Sequence, residues 1–145
     1  MHLLAIRPWA LIAAFLFVAA CDPFISPYNE QAYRNATELK ARSLDLVARS
    51  GEPYSRYSDE VADLALDVNA AYEYAAGLPD NRVVTNQWNI LRDPDGNLLG
   101  GFITQWRESG TLSSFFREEL SGQIAEGFDQ IICVEANKGR ATRCE

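Results

Sequence analysis

The residues of this 145-residue chain that could carry out chemistry are three cysteines, one histidine and a surplus of carboxylates. The histidine is His2, near the start of the chain, so residues 3–145 contain no imidazole. Nucleophilic sites that pair Ser or Cys with His need imidazole, as do zinc and di-iron sites with His ligands. We therefore expect no catalytic residues, no cofactor and no bound metal.

The first 20 residues have the pattern of a segment that is removed after export. Arg7 supplies a positive charge, and residues 9–20 form an apolar run of twelve residues without a charge. A run of that length is typical of a signal peptide and is too short to span the roughly 30 Å hydrocarbon core of a bilayer. We predict a cleaved signal peptide over residues 1–20.

The residues that end the apolar run make this prediction more specific. Val18-Ala19-Ala20-Cys21 resembles the lipobox of bacterial lipoproteins, in which the cysteine carries diacylglycerol and becomes the N-terminus. The resemblance implies that lipidated Cys21 anchors the chain to a bilayer of the bacterial cell envelope, facing the periplasm. Asp22 is similar to the retention signal of enteric lipoproteins, which favours the inner membrane. Ordinary secretory cleavage after Ala20 is the alternative.

The other two cysteines, Cys133 and Cys144, form an even pair once Cys21 carries lipid. Disulfides persist in exported proteins, so we predict a Cys133–Cys144 bond that closes a C-terminal loop. Closing a loop of about a dozen residues contributes roughly 3 kcal/mol of stability in the chain-entropy model. Two free thiols are the alternative.

The acidic composition excludes one class of partner. Without Arg7, the 13 Lys and Arg fall to 12, against 20 Asp and Glu, which leaves a net side-chain charge of −8. Phosphate backbones and anionic head groups repel a charge of that sign. We expect no nucleic-acid partner and no electrostatic docking on lipid.

The pattern after residue 26 is mainly helical, and residues 82–85 are the only strand-like candidate. Ser26-Pro27 is typical of a helix start and opens an amphipathic stretch that ends near Ser50-Gly51. We predict that its inward face consists of Ala32, Ala36, Leu39, Ser43, Leu46 and Val47. Ser58 can cap a second helix, and Gly77-Leu78-Pro79 stops it. A third, shorter helix follows Asn81 or Thr85. A fourth apolar pattern covers residues 98–107, where Phe102 and Trp106 lie four residues apart on one face. A long helix runs from Leu112 to Lys138-Gly139, with an apolar stripe that reaches Val134 and a basic last turn.

These elements predict an all-α fold, a small antiparallel bundle of four to five helices with short connections. Residues 27–139 form the helical domain, behind a lipidated tether of residues 21–26. Residues 140–145 form a C-terminal tail that folds back toward Cys133.

Carboxylates provide two weaker chemical patterns. Asp59, Asp63 and Asp67 recur every four residues, which we interpret as a solvated helix face, with a divalent-cation site as the alternative. Asp93-Pro94-Asp95-Gly96 resembles the opening of a calcium loop, but Leu98 stands where such a loop needs Gly. We therefore interpret this segment as a turn.

Aromatic residues on both sides of that turn give the one candidate binding surface. Core packing is our main interpretation of these rings. The alternative is a groove for a partner helix or an apolar ligand, formed by Trp88, Gly100, Gly101, Phe102 and Trp106. The two glycines either let a neighbouring helix approach closely or break the helix that contains them.

The sequence therefore predicts a lipid-anchored envelope protein, attached to the bilayer through Cys21, that acts as a non-catalytic interaction or structural accessory module for an envelope protein partner. Two alternatives remain open. One is a binder of a small apolar ligand inside the bundle, and the other is a hydrolase that works through carboxylates alone.

Overall fold

The computed structural model describes residues 26–139 and Cys144, and within them the chain is helical, with no strand. The prediction of an all-α bundle of four to five helices is confirmed. The predicted signal peptide, Cys21 and most of the predicted tail lie outside the described residues. The elements are α1 (Glu30–Arg49), a 3₁₀ helix (Tyr54–Arg56), α2 (Ser58–Gly77), α3 (Arg82–Arg92), α4 (Leu99–Ser109) and α5 (Ser114–Asn137).

The long helix α5 runs antiparallel to α1. Near the start of α5, Arg117 donates a hydrogen bond to the carbonyl of Ala48 at 2.7 Å. Further along, the ammonium of Lys40 lies 2.5 Å from Asp129 Oδ1. Later residues of α5 therefore contact earlier residues of α1, which means that the two helices are antiparallel. Helix α3 also packs on α5, with the rings of Trp88 and Phe128 5.9 Å apart in an edge-to-face contact.

This topology gives the bundle two distinct ends. At the N-terminal end, the start of α1 meets the α2–α3 connection, because the backbone N–H of Ser26 donates to the carbonyl of Asp80 at 3.2 Å. At the far end, the end of α1 meets the α4–α5 connection, because Leu112 N–H donates to the carbonyl of Ser50 at 2.8 Å. The 24 residues of α5 separate the two ends by about 36 Å at 1.5 Å per residue.

Helix α1 does not begin where the sequence predicts. Ser26-Pro27 precedes the helix, which begins at Glu30 with Asn29 as its N-cap, and Asn29 Oδ1 accepts a hydrogen bond from Ala32 N–H at 3.0 Å. The buried hydroxyl of Ser26 instead donates to Asn81 Oδ1 at 3.1 Å, across 55 residues of chain. The predicted inward face of α1 is confirmed, since its members are all buried: Ala32, Ala36, Leu39, Ser43, Leu46 and Val47.

The two glycines lie inside the first turn of α4 and do not break it. A Cβ on Gly100 would lie 2.3 Å from the carbonyl oxygen of Asp93, and one on Gly101 would lie 1.8 Å from that of Gly96. Only glycine therefore lets α4 start directly against the end of α3 and the turn that follows it. That turn has the predicted form, since Gly96 N–H donates to the carbonyl of Asp93 at 3.1 Å.

No helix among residues 26–139 is both long enough and apolar enough to cross a bilayer.

Candidate functional site

The three aromatic residues of the predicted groove belong to the hydrophobic core. Trp88, Phe102 and Trp106 have exposed fractions of 2%, 1% and 0%. The Trp106 indole N–H donates to the carbonyl of Glu52 at 3.0 Å, and its ring stacks on Phe102 at a centroid distance of 5.7 Å. The groove formed by Trp88, Gly100, Gly101, Phe102 and Trp106 is therefore a wrong prediction, and the main interpretation, core packing, is confirmed.

A different surface depression lies beside this part of the core. A cleft of about 290 Å³ opens between α4 and α5, and Gly101 and Phe102 line it, whereas Trp88 and Trp106 do not. We call it the α4–α5 cleft. Its other lining residues are small, apolar or amide-bearing, and none of them is charged: Gly96, Asn97, Gln105, Phe116, Leu120 and Gln123.

Two exposed phenylalanines lie at the far end of the bundle, of which Phe116 lines this cleft and Phe115 precedes it in the chain. Phe115 is 76% exposed, the highest value for a large apolar side chain in the described part of the chain, and Phe116 is 37% exposed. The cap at Ser113 starts α5 just before them, since Ser113 Oγ accepts from Phe116 N–H at 3.3 Å. The first buried side chain within α5 is Leu120, so the first turn of the helix leaves its side chains exposed. We call Phe115, Phe116 and the α4–α5 cleft the apical patch.

The sequence pattern contained a signal for Phe115 that the prediction did not use. The apolar stripe of α5 recurs at three- and four-residue steps through Leu120, Ile124 and Phe128, all buried. Phe115 lies off that stripe, and a large aromatic residue outside the stripe of an amphipathic helix is a candidate for contact with a partner.

The N-terminal end holds a set of buried polar side chains. Ser26 and Asn81 are both 3% exposed. Asn81 accepts from the Ser26 hydroxyl and donates through Nδ2 to the carbonyl of Ala75 at 2.9 Å. With the backbone bond from Ser26 to Asp80, these contacts hold the first described residue against the α2–α3 connection. We call the contacts of Ser26 with Asp80 and Asn81, and of Asn81 with Ala75, the Ser26 clamp.

A buried ion pair lies at the end of α5. Lys138 Nζ lies 2.6 Å from Glu135 Oε2, and both side chains are 0% exposed. Burial raises the pKa of Glu135 above its ordinary value, and the ammonium of Lys138 opposes that rise. Neither carboxylate oxygen of Glu135 has a hydrogen bond of good geometry within the described part of the chain. Lys138 is therefore the one cation that partners the Glu135 carboxylate in the described part of the chain.

Sequence reasoning missed this pair. It extended the apolar stripe of α5 to Val134 and treated Lys138 as a cation at a helix end. In the structure Val134 is only half-buried, and Glu135 occupies the inward position four residues after Ile131. The helical spacing pointed to residue 135, but its charge argued against burial.

The predicted disulfide is confirmed. Cys133 and Cys144 are bonded, with their Cα atoms 5.8 Å apart, and the bond ties residue 144 to the last turns of α5. The bond therefore lies at the N-terminal end of the bundle, near the buried pair.

Two of the carboxylates form ion pairs with arginines beside the cleft between α1 and α2. Asp67 forms an ion pair with Arg42, and Glu38 lies 3.4 Å from Arg34. Both carboxylates line the cleft of about 480 Å³ between α1 and α2, and Arg42 lines it as well. Among the residues that the structure describes, no three His, Cys, Asp or Glu side chains cluster as metal ligands would.

Comparison of the chain with family models, with curated proteins and with solved structures gives no match. The case for a function therefore depends on the residues of this chain alone.

Proposed function

We propose that this protein is a lipid-anchored component of the bacterial cell envelope that binds another envelope protein through the apical patch and carries out no catalysis. The anchor is Cys21, at the end of the Val18-Ala19-Ala20-Cys21 lipobox, and the helical domain faces the periplasm. Asp22 favours the inner membrane.

The exposure of Phe115 carries the interaction part of this proposal. A phenylalanine that is 76% exposed lacks the stabilisation of about 1.5–3 kcal/mol that burial would supply, and a partner that covers the ring would supply it. Phe116, half as exposed, adjoins it and lines the uncharged α4–α5 cleft. The cores of protein interfaces are enriched in aromatic residues and depleted of charge, and the apical patch has both properties.

The chemistry of the patch specifies the kind of partner. A side chain of the partner would enter the α4–α5 cleft and contact Phe102, Phe116 and Leu120, which favours an aliphatic or aromatic residue. Asn97, Gln105 and Gln123 at the cleft can hydrogen-bond to the backbone of the partner. Because the cleft has no charge of its own, the partner segment is an uncharged apolar stretch of an envelope protein.

Both alternatives from the sequence have less support. A small apolar ligand inside the bundle would need space between the aromatic rings, but Trp88, Phe102 and Trp106 pack into the core. A hydrolase that uses carboxylates alone would need two free acidic groups in a cleft, but Glu38 and Asp67 are paired with arginines.

The test is site-specific photo-crosslinking in intact cells. A photoreactive residue at position 115 should capture one envelope protein, and the additional substitution Phe116→Ser should abolish the capture. The purified partner should then bind the wild-type protein and bind Phe115→Ser at least about tenfold more weakly, which corresponds to about 1.4 kcal/mol for one interface aromatic residue.

Leu66 provides the matched control, because it is 68% exposed on α2 and is not part of the apical patch. A photoreactive residue at position 66 should not capture the same protein, and Leu66→Ser should leave binding unchanged. Equal capture from positions 66 and 115, or undiminished binding by Phe115→Ser, would remove the apical patch from the proposal.

A further inference from the structure

We infer that the N-terminal end of the bundle lies on the lipid bilayer, with Tyr28, Leu78 and Val83 in the headgroup region, and that the Ser26 clamp fixes the domain in this orientation. The inference rests on the proposed anchor at Cys21 and goes beyond it, because an anchor alone does not determine which face of a domain meets the membrane.

The first step is the length of the tether. Ser26 lies five residues after Cys21, and a fully extended chain over those five steps spans at most about 17 Å. The domain is about 36 Å long, so a tether of this length cannot let it turn end over end freely beside the bilayer.

The second step is the fixed point at which the tether joins the domain. Ser26 is 3% exposed and makes two hydrogen bonds to the α2–α3 connection, through its N–H to Asp80 and through its hydroxyl to Asn81. Asn81 is itself held by its bond to the carbonyl of Ala75. The tether therefore leaves the domain from a fixed place at the N-terminal end.

The third step is the composition of the surface around that point. Tyr28 is 53% exposed two residues after Ser26, and Val83 is 49% exposed two residues after Asn81. Leu78 is half-buried, and Pro27 and Pro79 are exposed beside these residues. Tyrosine favours the headgroup level of bilayers, and short apolar side chains can enter the same zone.

The charges of the α2–α3 connection beside the Ser26 clamp balance each other. Asp80 and Arg82 are exposed there and carry opposite charges. Glu30, in the first turn of α1, is also exposed at this end. Tethering and apolar contact therefore set the orientation, with no contribution from electrostatic attraction to lipid.

This orientation has a consequence for the apical patch. Phe115 lies at the opposite end of the bundle, so it faces away from the bilayer that holds the anchor. Its distance from the N-terminal end, about 36 Å, places it where a partner that extends into the periplasm can reach it.

The experiment uses the full-length lipidated protein in vesicles of phosphatidylethanolamine and phosphatidylglycerol. An environment-sensitive fluorophore is attached to Val83→Cys, Phe115→Cys or Leu66→Cys, and quenching by spin-labelled lipid headgroups is measured. Quenching should be several-fold greater at position 83 than at positions 66 and 115. Equal quenching at all three, or the greatest quenching at position 66 or 115, would overturn the inference.

The clamp is tested by Asn81→Ala, with Ser26→Ala as a milder variant that removes only the hydroxyl bond. Each should reduce the difference in quenching between positions 83 and 115 while the circular dichroism spectrum and vesicle binding stay unchanged. If Asn81→Ala does not fold, Ser26→Ala alone tests the clamp. An unchanged difference in quenching between positions 83 and 115 would show that the clamp does not set the orientation.

The same measurements separate this inference from the proposed function. Failure of the lipidated chain to bind vesicles would overturn both the anchor and the orientation. Vesicle binding with equal quenching at positions 83 and 115 would overturn only the orientation.

Discussion

The substitution Lys138→Met should lower the free energy of unfolding by about 3–5 kcal/mol at neutral pH, because it leaves the Glu135 carboxylate buried without its cation. Both side chains are 0% exposed and their charged atoms lie 2.6 Å apart, so solvent cannot replace the lost partner. This loss would be a large fraction of the roughly 5–15 kcal/mol that stabilises a typical domain.

Replacing both members by apolar residues should have a different effect. In Glu135→Leu/Lys138→Met no charge remains to be desolvated, and such replacements of buried pairs are often neutral or stabilising by about 1–4 kcal/mol. The double variant should therefore be at least about 3 kcal/mol more stable than the Lys138→Met single variant.

The effect of Lys138→Met should also depend on pH. Because burial raises the pKa of Glu135, the folded chain keeps this proton at pH values where the unfolded chain has released it. The contribution of Glu135 to the free energy of unfolding therefore falls as pH rises from its ordinary pKa to its folded pKa, and it is lowest above both. Without Lys138 the folded pKa rises further, so the loss should be smaller at about pH 5 than at about pH 8.

The assay is urea denaturation of the purified protein, followed by circular dichroism, for the wild type and both variants across this pH range. A loss below about 1 kcal/mol for Lys138→Met would refute the reasoning, because it would mean that water solvates the Glu135 carboxylate in the folded state. A loss of equal size at both pH values would show that Glu135 stays ionised throughout.

Three further predictions concern the fold and use the same denaturation assay. Gly100→Ala should destabilise the protein by about 1–3 kcal/mol, because its Cβ would lie 2.3 Å from a backbone oxygen. Gly122→Ala, whose Cβ would have no atom within 4 Å, should stabilise it by about 0.5–1 kcal/mol. Equal effects of the two variants would contradict the close approach of α4 to the preceding turn. Cys144→Ser should lower the free energy of unfolding by about 3 kcal/mol in oxidising buffer, because it removes the disulfide. After reduction, the variant and the wild type should be equally stable. A difference in stability that persists after reduction would mean that the disulfide is not its cause. Trp106→Ala should cost about 3–5 kcal/mol because the ring is 0% exposed, and a cost below 1 kcal/mol would argue against its place in the core.

The inward face of α1 could be predicted from the sequence, but its first residue could not. Spacing of three and four residues is a local property, and it correctly assigned all six buried positions from Ala32 to Val47. Ser26-Pro27 also fits the local rule for a helix start. The hydroxyl of Ser26 binds Asn81 and does not cap α1. A contact between residues 55 positions apart cannot be inferred from local sequence spacing.

The candidate site shows the same division between local and distant information. Spacing indicated that Phe102 and Trp106 share a helix face, but whether other helices cover that face depends on packing. The close start of α4 on the α3 end, which Gly100 and Gly101 permit, brings both rings into the core. Phe115 stays exposed because it lies off the stripe of α5 that is buried through Leu120, Ile124 and Phe128.

The buried charge of Glu135 could not be predicted for an energetic reason. A carboxylate is almost never fully buried without a partner, so hydrophobic pattern rules place a residue of this type at the surface. Lys138 compensates for it one turn later on the same helix, and only the folded arrangement shows that both side chains are inside.

The most direct test of the anchor, on which the proposed function and the orientation both depend, is the intact mass of the protein isolated from membranes of its native host. The account predicts a chain that begins at Cys21 and carries the added mass of a diacylglycerol group, with or without a further acyl chain on the new amine. A chain that retains Met1, or one that begins at Cys21 with an unmodified thiol, would contradict it.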